Sequence, residues 1–167
     1  MRYSHLDSPV GRIRLTGRDD GVLTGLHLAD HDRCPPAPAD GTLDETAFDG
    51  VREQLDEYFA GTRTEFDVPL ALDGSPFQVE VWTALRTITY GETSSYAEIA
   101  RMIGRPSAVR AVGAANGRNP ISIIVPCHRV IGADGSLTGY GWGVERKAWL
   151  LQFERFGPSQ VSSSGPG

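Results

Sequence analysis

Cysteine, histidine and arginine stand in succession at Cys127-His128-Arg129, after Asn119-Pro120-Ile121-Ser122-Ile123-Ile124-Val125-Pro126 and before Val130-Ile131. A thiolate is the nucleophilic form of cysteine, and neighbouring cations favour it over the thiol. The basic neighbours therefore predict a Cys127 that ionises readily and can attack carbon to form a covalent adduct. Adjacent side chains in a chain need not meet, and a Cys-His dipeptide alone is usually structural.

The elements that must position this segment are legible in the hydrophobic period. Tyr3, Leu6, Val10, Ile13, Leu15, Val22, Leu23, Leu26 and Leu28 fall between the turn signals Val10-Gly11 and Asp20-Gly21, which predicts short antiparallel strands over residues 2–29. Pro35, Pro36 and Pro38 make residues 34–41 a loop. Phe48, Val51, Leu55, Tyr58 and Phe59 recur at helical spacing up to Gly61, and residues 62–74 read as extended. Ser75-Pro76-Phe77-Gln78 is a capping box that opens a helix through Phe77, Val81, Leu85 and Ile88 to Tyr90-Gly91. Ser95 with Glu98 forms a second box, opening a helix that reaches Gly104. Ser107 caps a third helix through Val109, Val112 and Ala115 towards Gly117. The last two helices fit a helix-turn-helix, a pattern that hairpins without a DNA role share. Ile121 to Val125 reads as a short strand ending at Pro126, and Arg146 to Glu154 as a final helix. The expected organisation is an α/β domain over 1–74, a second domain over 75–157 and a flexible tail over 158–167.

With 167 residues, 40% hydrophobic and 22% charged, the chain can bury a sizeable core, and disordered and collagen-like classes are excluded. No apolar run approaches the ~20 residues that span a bilayer, and the first residues lack a signal-peptide core, so a cytoplasmic protein without membrane contact is expected. Cys34 and Cys127 cannot build a disulfide framework. The net charge of −5 is unevenly spread. Residues 1–91 carry 8 Arg against 16 Asp and Glu, or −8, whereas residues 92–131 carry Arg101, Arg105, Arg110, Arg118 and Arg129 against Glu92 and Glu98, or +3. A basic segment behind an acidic half suits a protein that meets a polyanion with one face; an ordinary solvated surface gives the same count.

Taken with its neighbours, the second half resembles the O6-alkylguanine-DNA alkyltransferase family. The resemblance is carried by Pro126-Cys127-His128-Arg129-Val130, preceded by Arg110-Ala111-Val112-Gly113 and Asn119-Pro120 and followed by Gly139-Tyr140 and a helix ending Leu150-Leu151-Gln152-Phe153-Glu154. Tyr90-Gly91-Glu92-Thr93-Ser94-Ser95-Tyr96 also fits, and Leu6-Asp7-Ser8-Pro9-Val10-Gly11 fits more loosely. It implies an α/β fold: an N-terminal ribonuclease-H-like α/β domain and a mostly helical C-terminal domain with a winged-helix-like helix-turn-helix. It also implies a methylated-DNA–protein-cysteine S-methyltransferase that binds the minor groove of double-stranded DNA containing O6-alkylguanine. Such a protein flips the damaged base out and takes the alkyl group irreversibly, once per molecule. The resemblance extends the expected substrates to O4-alkylthymine, suggests a monomer, and implies no cofactor or metal.

By the same resemblance Cys127 is the acceptor, His128 its base through a water, and Glu154 the group that orients His128. Asn119 ties the preceding turn to this network. Arg110 fills the gap left by the flipped base, and the small Ala111 and Gly113 let the helix approach the groove. Tyr96 sits by the flipped nucleotide and can donate to the departing guanine. Tyr140, Gly141, Trp142, Val130 and Pro126 wall the pocket. Two departures carry expectations. Trp142 stands where the family commonly has glycine, which favours larger or aromatic O6 substituents. Ser122 stands where some members have proline, which loosens the strand before Pro126. Some members hold zinc in the N-terminal domain; His5, His27, His31 and Cys34 are suitable in type but lack a tight spacing, and read as isolated loop residues. A DNA-binding regulator without chemistry and a cysteine hydrolase are the rival functions.

Overall fold

Alternating burial folds the N-terminal residues into β1 (Arg2–Leu6), β2 (Ile13–Gly17) and β3 (Leu23–Leu28), all antiparallel, with Ser4 opposite Leu15 and Leu15 opposite Leu26. A short β4 (Thr42–Leu43) adds to the other side of β1 in parallel, giving the order β3-β2-β1-β4. This computed structural model describes residues 1–138, 140–161 and 165–166. Gly139 of the Gly139-Tyr140 motif, and Ser162, Ser163, Ser164 and Gly167 of the expected tail, lie outside the described residues. Helix α1 (Asp49–Phe59) buries Val51, Leu55 and Tyr58, the stripe that its period requires. The proline-rich loop is irregular, and Arg14 pins it by donating to the Pro35 carbonyl. Residues 62–74, expected to be extended, carry no regular strand. Only Leu70 bridges to Leu23, because Pro69 has no amide hydrogen with which to continue a ladder.

Helix α2 (Pro76–Leu85) opens on the full capping box: Ser75 Oγ accepts from the Gln78 amide at 3.2 Å, and Gln78 Oε1 from the Ser75 amide at 2.9 Å. It ends at Leu85, earlier than expected, as Thr87 and Ile88 tighten into i→i+3 turns. Helix α3 (Tyr96–Met102) is capped by Ser95 Oγ, but the Glu98 carboxylate accepts from the hydroxyls of Ser94 and Ser95, so the reciprocal arm of the box is missing. Helix α4 (Val109–Gly117) starts after Ala108, with no side-chain cap from Ser107. Val112 and Ala115 face inward, and the Trp82 indole donates to the Ala115 carbonyl at 2.8 Å, fixing α4 on α2. A parallel ribbon of β5 (Ser94–Ser95) and β6 (Val130–Ile131) and helix α5 (Val144–Phe156) complete the second half.

Residues 121–125 are a tight turn rather than a strand. Ile124 N–H donates to Ser122 and Val125 N–H to Ile121, and buried Ile123 sits at φ 71°. A β-branched residue there is a genuine outlier, held only because its surroundings over-determine it. Among the described residues, no helix is long and apolar enough to cross a membrane.

Candidate active site

The strained turn delivers Cys127 into a single 3-10 turn, Cys127–Arg129. Asn119 clamps it from both ends: its Oδ1 accepts from Ile121 N–H at 3.0 Å and its Nδ2 donates to the Val125 carbonyl at 2.7 Å. The edge of the N-terminal sheet holds it too, through Leu26 N–H to the Pro120 carbonyl at 2.9 Å. Asn116 Nδ2 reaches the Cys127 carbonyl at 3.3 Å. Three residues per turn point Cys127 one way and send His128 and Arg129 elsewhere.

Cys127 is 3% exposed and lines a cavity of about 300 Å³ together with Asn119, Tyr140, Gly141 and Trp142. Tyr140 and Trp142 meet edge to face at 6.0 Å, both buried. The N-terminal domain contributes to the same cavity through His27 of β3 and through His31, Arg33 and Cys34 of the loop that follows it. His5 lies apart on β1. Among the described residues no group of three or more His, Cys, Asp or Glu is placed to hold a metal ion. Two of the expected pocket residues are elsewhere: Pro126 faces a separate cavity with Tyr90 and Arg129, and Val130 is buried in the β6 pairing.

The thiol is not the readily ionised group its neighbours suggest. Burial pushes Cys127 above its ordinary value, against the opposing pull of the Asn119 side chain, the Lys147 charge and Ser122. Arg129 cannot help, because its charge is spent. Its Nε and Nη2 grip Glu154 at 2.7 and 3.1 Å, its Nη1 donates to the Ile88 carbonyl at 2.8 Å, and it is buried. The basic segment thus presents four arginines to solvent, of which Arg105 lies 3.5 Å from Glu80.

Glu154, from α5, meets His128 Nε2 at 2.7 Å and the Tyr58 hydroxyl at 2.6 Å. Burial alone would raise its carboxyl, but His128 and Arg129 outweigh this and hold it well below the usual carboxylate range. His128 is fully buried, and its Nδ1 has no hydrogen-bond partner among the described residues. His128 and Glu154 are thus in direct contact, and Cys127 directly precedes His128 in the chain.

Arg110 and Ala111 lie on the exposed face of α4, with Gly113 half-buried between α4 and Tyr96. Tyr96 is half-buried and donates its hydroxyl to the Thr138 carbonyl at 2.7 Å. The same carbonyl accepts from Lys147 at 2.9 Å, whose ammonium lies 5.8 Å from the Tyr96 ring centroid. Burial lowers Lys147 to about 8, opposed by Cys127. Sequence reasoning missed Lys147, Asn116 and Tyr58. Only Tyr58 carried a signal: a tyrosine on the buried face of a helix needs a partner for its hydroxyl.

Comparison with known proteins bears on the whole chain. Residues 1–72 match the family model of the 6-O-methylguanine DNA methyltransferase ribonuclease-like domain, and residues 76–156 that of the DNA binding domain of the same proteins. The chain is 57% identical over 155 residues to the methylated-DNA–protein-cysteine methyltransferase of Mycolicibacterium paratuberculosis, covering 93% of each. It is 49% identical over 154 residues to the protein of that name from Methanosarcina acetivorans, covering 92% of this chain and 98% of the relative. The crystal structure of Mycobacterium tuberculosis OGT in complex with DNA superposes with a TM-score of 0.89 at 52% identity, covering 98% of this chain and 97% of that one. With an α/β domain, a helical DNA-binding domain and a cysteine-histidine-carboxylate cluster in one chain, the protein belongs to the 6-O-methylguanine DNA methyltransferase family, the methylated-DNA–protein-cysteine methyltransferases of DNA repair.

Proposed function

We propose that this protein takes alkyl groups from O6-alkylguanine in double-stranded DNA onto Cys127, once per molecule. The observation that carries the reading is a buried thiol on the cavity wall, followed in the chain by a histidine whose Nε2 is engaged by Glu154 while its Nδ1 is unpaired among the described residues. A thiol held above its ordinary value needs a base, and His128 Nδ1 takes the proton through a water while Glu154 stabilises the imidazolium. The sulfur then attacks the O6-alkyl carbon. The S–C bond forms as the C–O6 bond breaks, the electron pair stays with guanine, and the proton from the thiol neutralises the departing base. A thioether resists hydrolysis, so the molecule is consumed.

The alkyl carbon lies within the duplex and Cys127 within the protein, so the base must leave the stack to reach the sulfur. Arg110, exposed on α4, fills the gap with its planar guanidinium. Ala111 and Gly113 keep that face low. A Cβ at Gly113 would meet only ordinary contacts at 3.9 Å, so the fold itself does not demand glycine there and a close approach to the groove accounts for it. Tyr96 supports the flipped nucleotide beside α4.

Intact mass after incubation with duplex DNA carrying O6-methylguanine tests the reading. A gain of about 14 Da on Cys127, absent from Cys127→Ser, is expected. Unchanged mass with DNA still bound refutes it in favour of a DNA-binding regulator.

A further inference from the structure

The carboxylate that orients His128 is also held by a residue from the other domain. Tyr58, on α1 and 96 positions before Glu154, is fully buried and donates to Glu154 Oε2 at 2.6 Å. His128 Nε2 meets the same oxygen at 2.7 Å. Together with the two bonds from Arg129, the carboxylate meets four donors, three of them on Oε2. The phenol cannot wander, because its ring is boxed by Phe59, Phe66, Tyr90 and Phe153 at centroid distances of 5.1, 5.5, 6.1 and 5.5 Å.

We propose that Tyr58 is a positioning residue for alkyl transfer: its hydroxyl, brought in by the N-terminal domain, keeps Glu154 Oε2 in line with His128 and shares the electron density that would otherwise hold the imidazolium proton. The inference rests on the reading of His128 as the base for Cys127. Arg129 neutralises the carboxylate's charge and also reaches Oε2, but at 3.1 Å against 2.6 Å for the Tyr58 hydroxyl, which is the shorter bond at that oxygen. A packing role alone does not call for this partner: a buried tyrosine is satisfied by any carbonyl, yet this one spends its hydroxyl on the oxygen that meets His128. A ligand-orienting group with rigid support of this kind is what a preorganised site requires. The other titratable and charged groups around the cluster are Cys127 and Arg129 from the active-site turn, Tyr90 from the loop after α2, Tyr140 from the loop before α5, and Arg146 and Lys147 from α5. Burial pushes Tyr58, Tyr90 and Tyr140 upward, so all three stay neutral across the working range.

The test is Tyr58→Phe, which keeps the ring in its box and removes only the hydroxyl. Single-turnover transfer from O6-methylguanine duplex DNA is measured against protein concentration and pH in the wild type, Tyr58→Phe, His128→Asn and the double variant. The half-saturating protein concentration is expected to stay unchanged. The transfer rate constant should fall about three- to tenfold at neutral pH, with its acidic limb moved to higher pH. In the His128→Asn background, Tyr58→Phe should have no further effect. An unchanged rate constant and pH profile, with only a lower unfolding temperature, overturns the proposal and leaves Tyr58 a packing residue. An equal loss in both backgrounds overturns it too, since the hydroxyl then acts by another route. If His128→Asn alone leaves transfer intact, the base assignment fails and this inference fails with it. If the wild type transfers nothing to Cys127, it is the alkyl-transfer reading that falls.

Discussion

Replacing Glu154 by glutamine keeps the shape of the side chain and removes its charge, isolating the electrostatic part of the buried cluster. In the wild type the carboxylate accepts from Tyr58 at 2.6 Å, from His128 at 2.7 Å and from Arg129 at 2.7 and 3.1 Å. Its side chain is 1% exposed and that of Arg129 is 8% exposed, so water screens neither. Removing one partner of a buried ion pair costs about 3–5 kcal/mol, because the remaining charge is left uncompensated. Arg129 keeps the Ile88 carbonyl and the Tyr90 ring, and the amide oxygen still accepts one donor, which places the loss near the lower bound, about 3 kcal/mol. At about 2–4 °C per kcal/mol for a chain of this size, the unfolding temperature should fall by roughly 6–12 °C. The pH dependence is the sharper signature. With its carboxyl held low by folding, the native state binds fewer protons than the unfolded chain. The stability from Glu154 is therefore complete above the unfolded value of about 4.3 and is lost as pH falls towards the lower folded value. Glutamine does not titrate, so the gap between wild type and variant is widest near neutrality and narrows below about pH 4. Urea unfolding followed by tryptophan fluorescence across that range measures it. A loss under about 1 kcal/mol at neutrality, or a gap that does not change with pH, refutes the description of a desolvated, charge-coupled cluster.

Three further outcomes are expected. Trp142→Gly should widen the Cys127 cavity and lower the ratio of benzyl to methyl transfer from O6-alkylguanine duplexes; an unchanged ratio removes the indole from substrate selection. Arg110→Ala should slow transfer from duplex DNA by about tenfold, and far less from a single-stranded oligonucleotide, where the flipped base leaves no gap to fill. Equal losses on both would make Arg110 a phosphate contact. Burial lowers Lys147 to about 8, so the folded state binds fewer protons than the unfolded chain between there and the ordinary lysine range. Stability should therefore rise with pH across that window by up to about 2 kcal/mol relative to Lys147→Met, and parallel unfolding curves for the two proteins would show that Lys147 is solvated.

What could be read along the chain were features decided within a few residues. The box at Ser75 and Gln78 needs only four positions, and the proline-rich loop only its own missing donors, so both stand where the sequence puts them. The same holds for the strand pattern of residues 2–28 and the stripe of α1, whose periods record which face is buried. Cys127, His128 and Glu154 were legible as types in order along a recognisable motif. Their chemistry was not, because it depends on what stands opposite. Arg129 counts as surface charge in the sequence and is buried in fact, since Glu154 arrives 25 positions later on another helix. The thiol that its basic neighbours should ionise is pushed the other way by burial, which only packing decides. Ile123 has every local reason to extend and instead turns left-handed, because Asn119 and the edge of β3 fix both ends of its turn. The N-terminal domain shows no chemical motif, yet the tertiary structure makes it one wall of the Cys127 cavity and the source of the Tyr58 hydroxyl. Sequence periodicity reports burial against solvent; it carries no record of which buried groups face each other across the core, and there the active site is made.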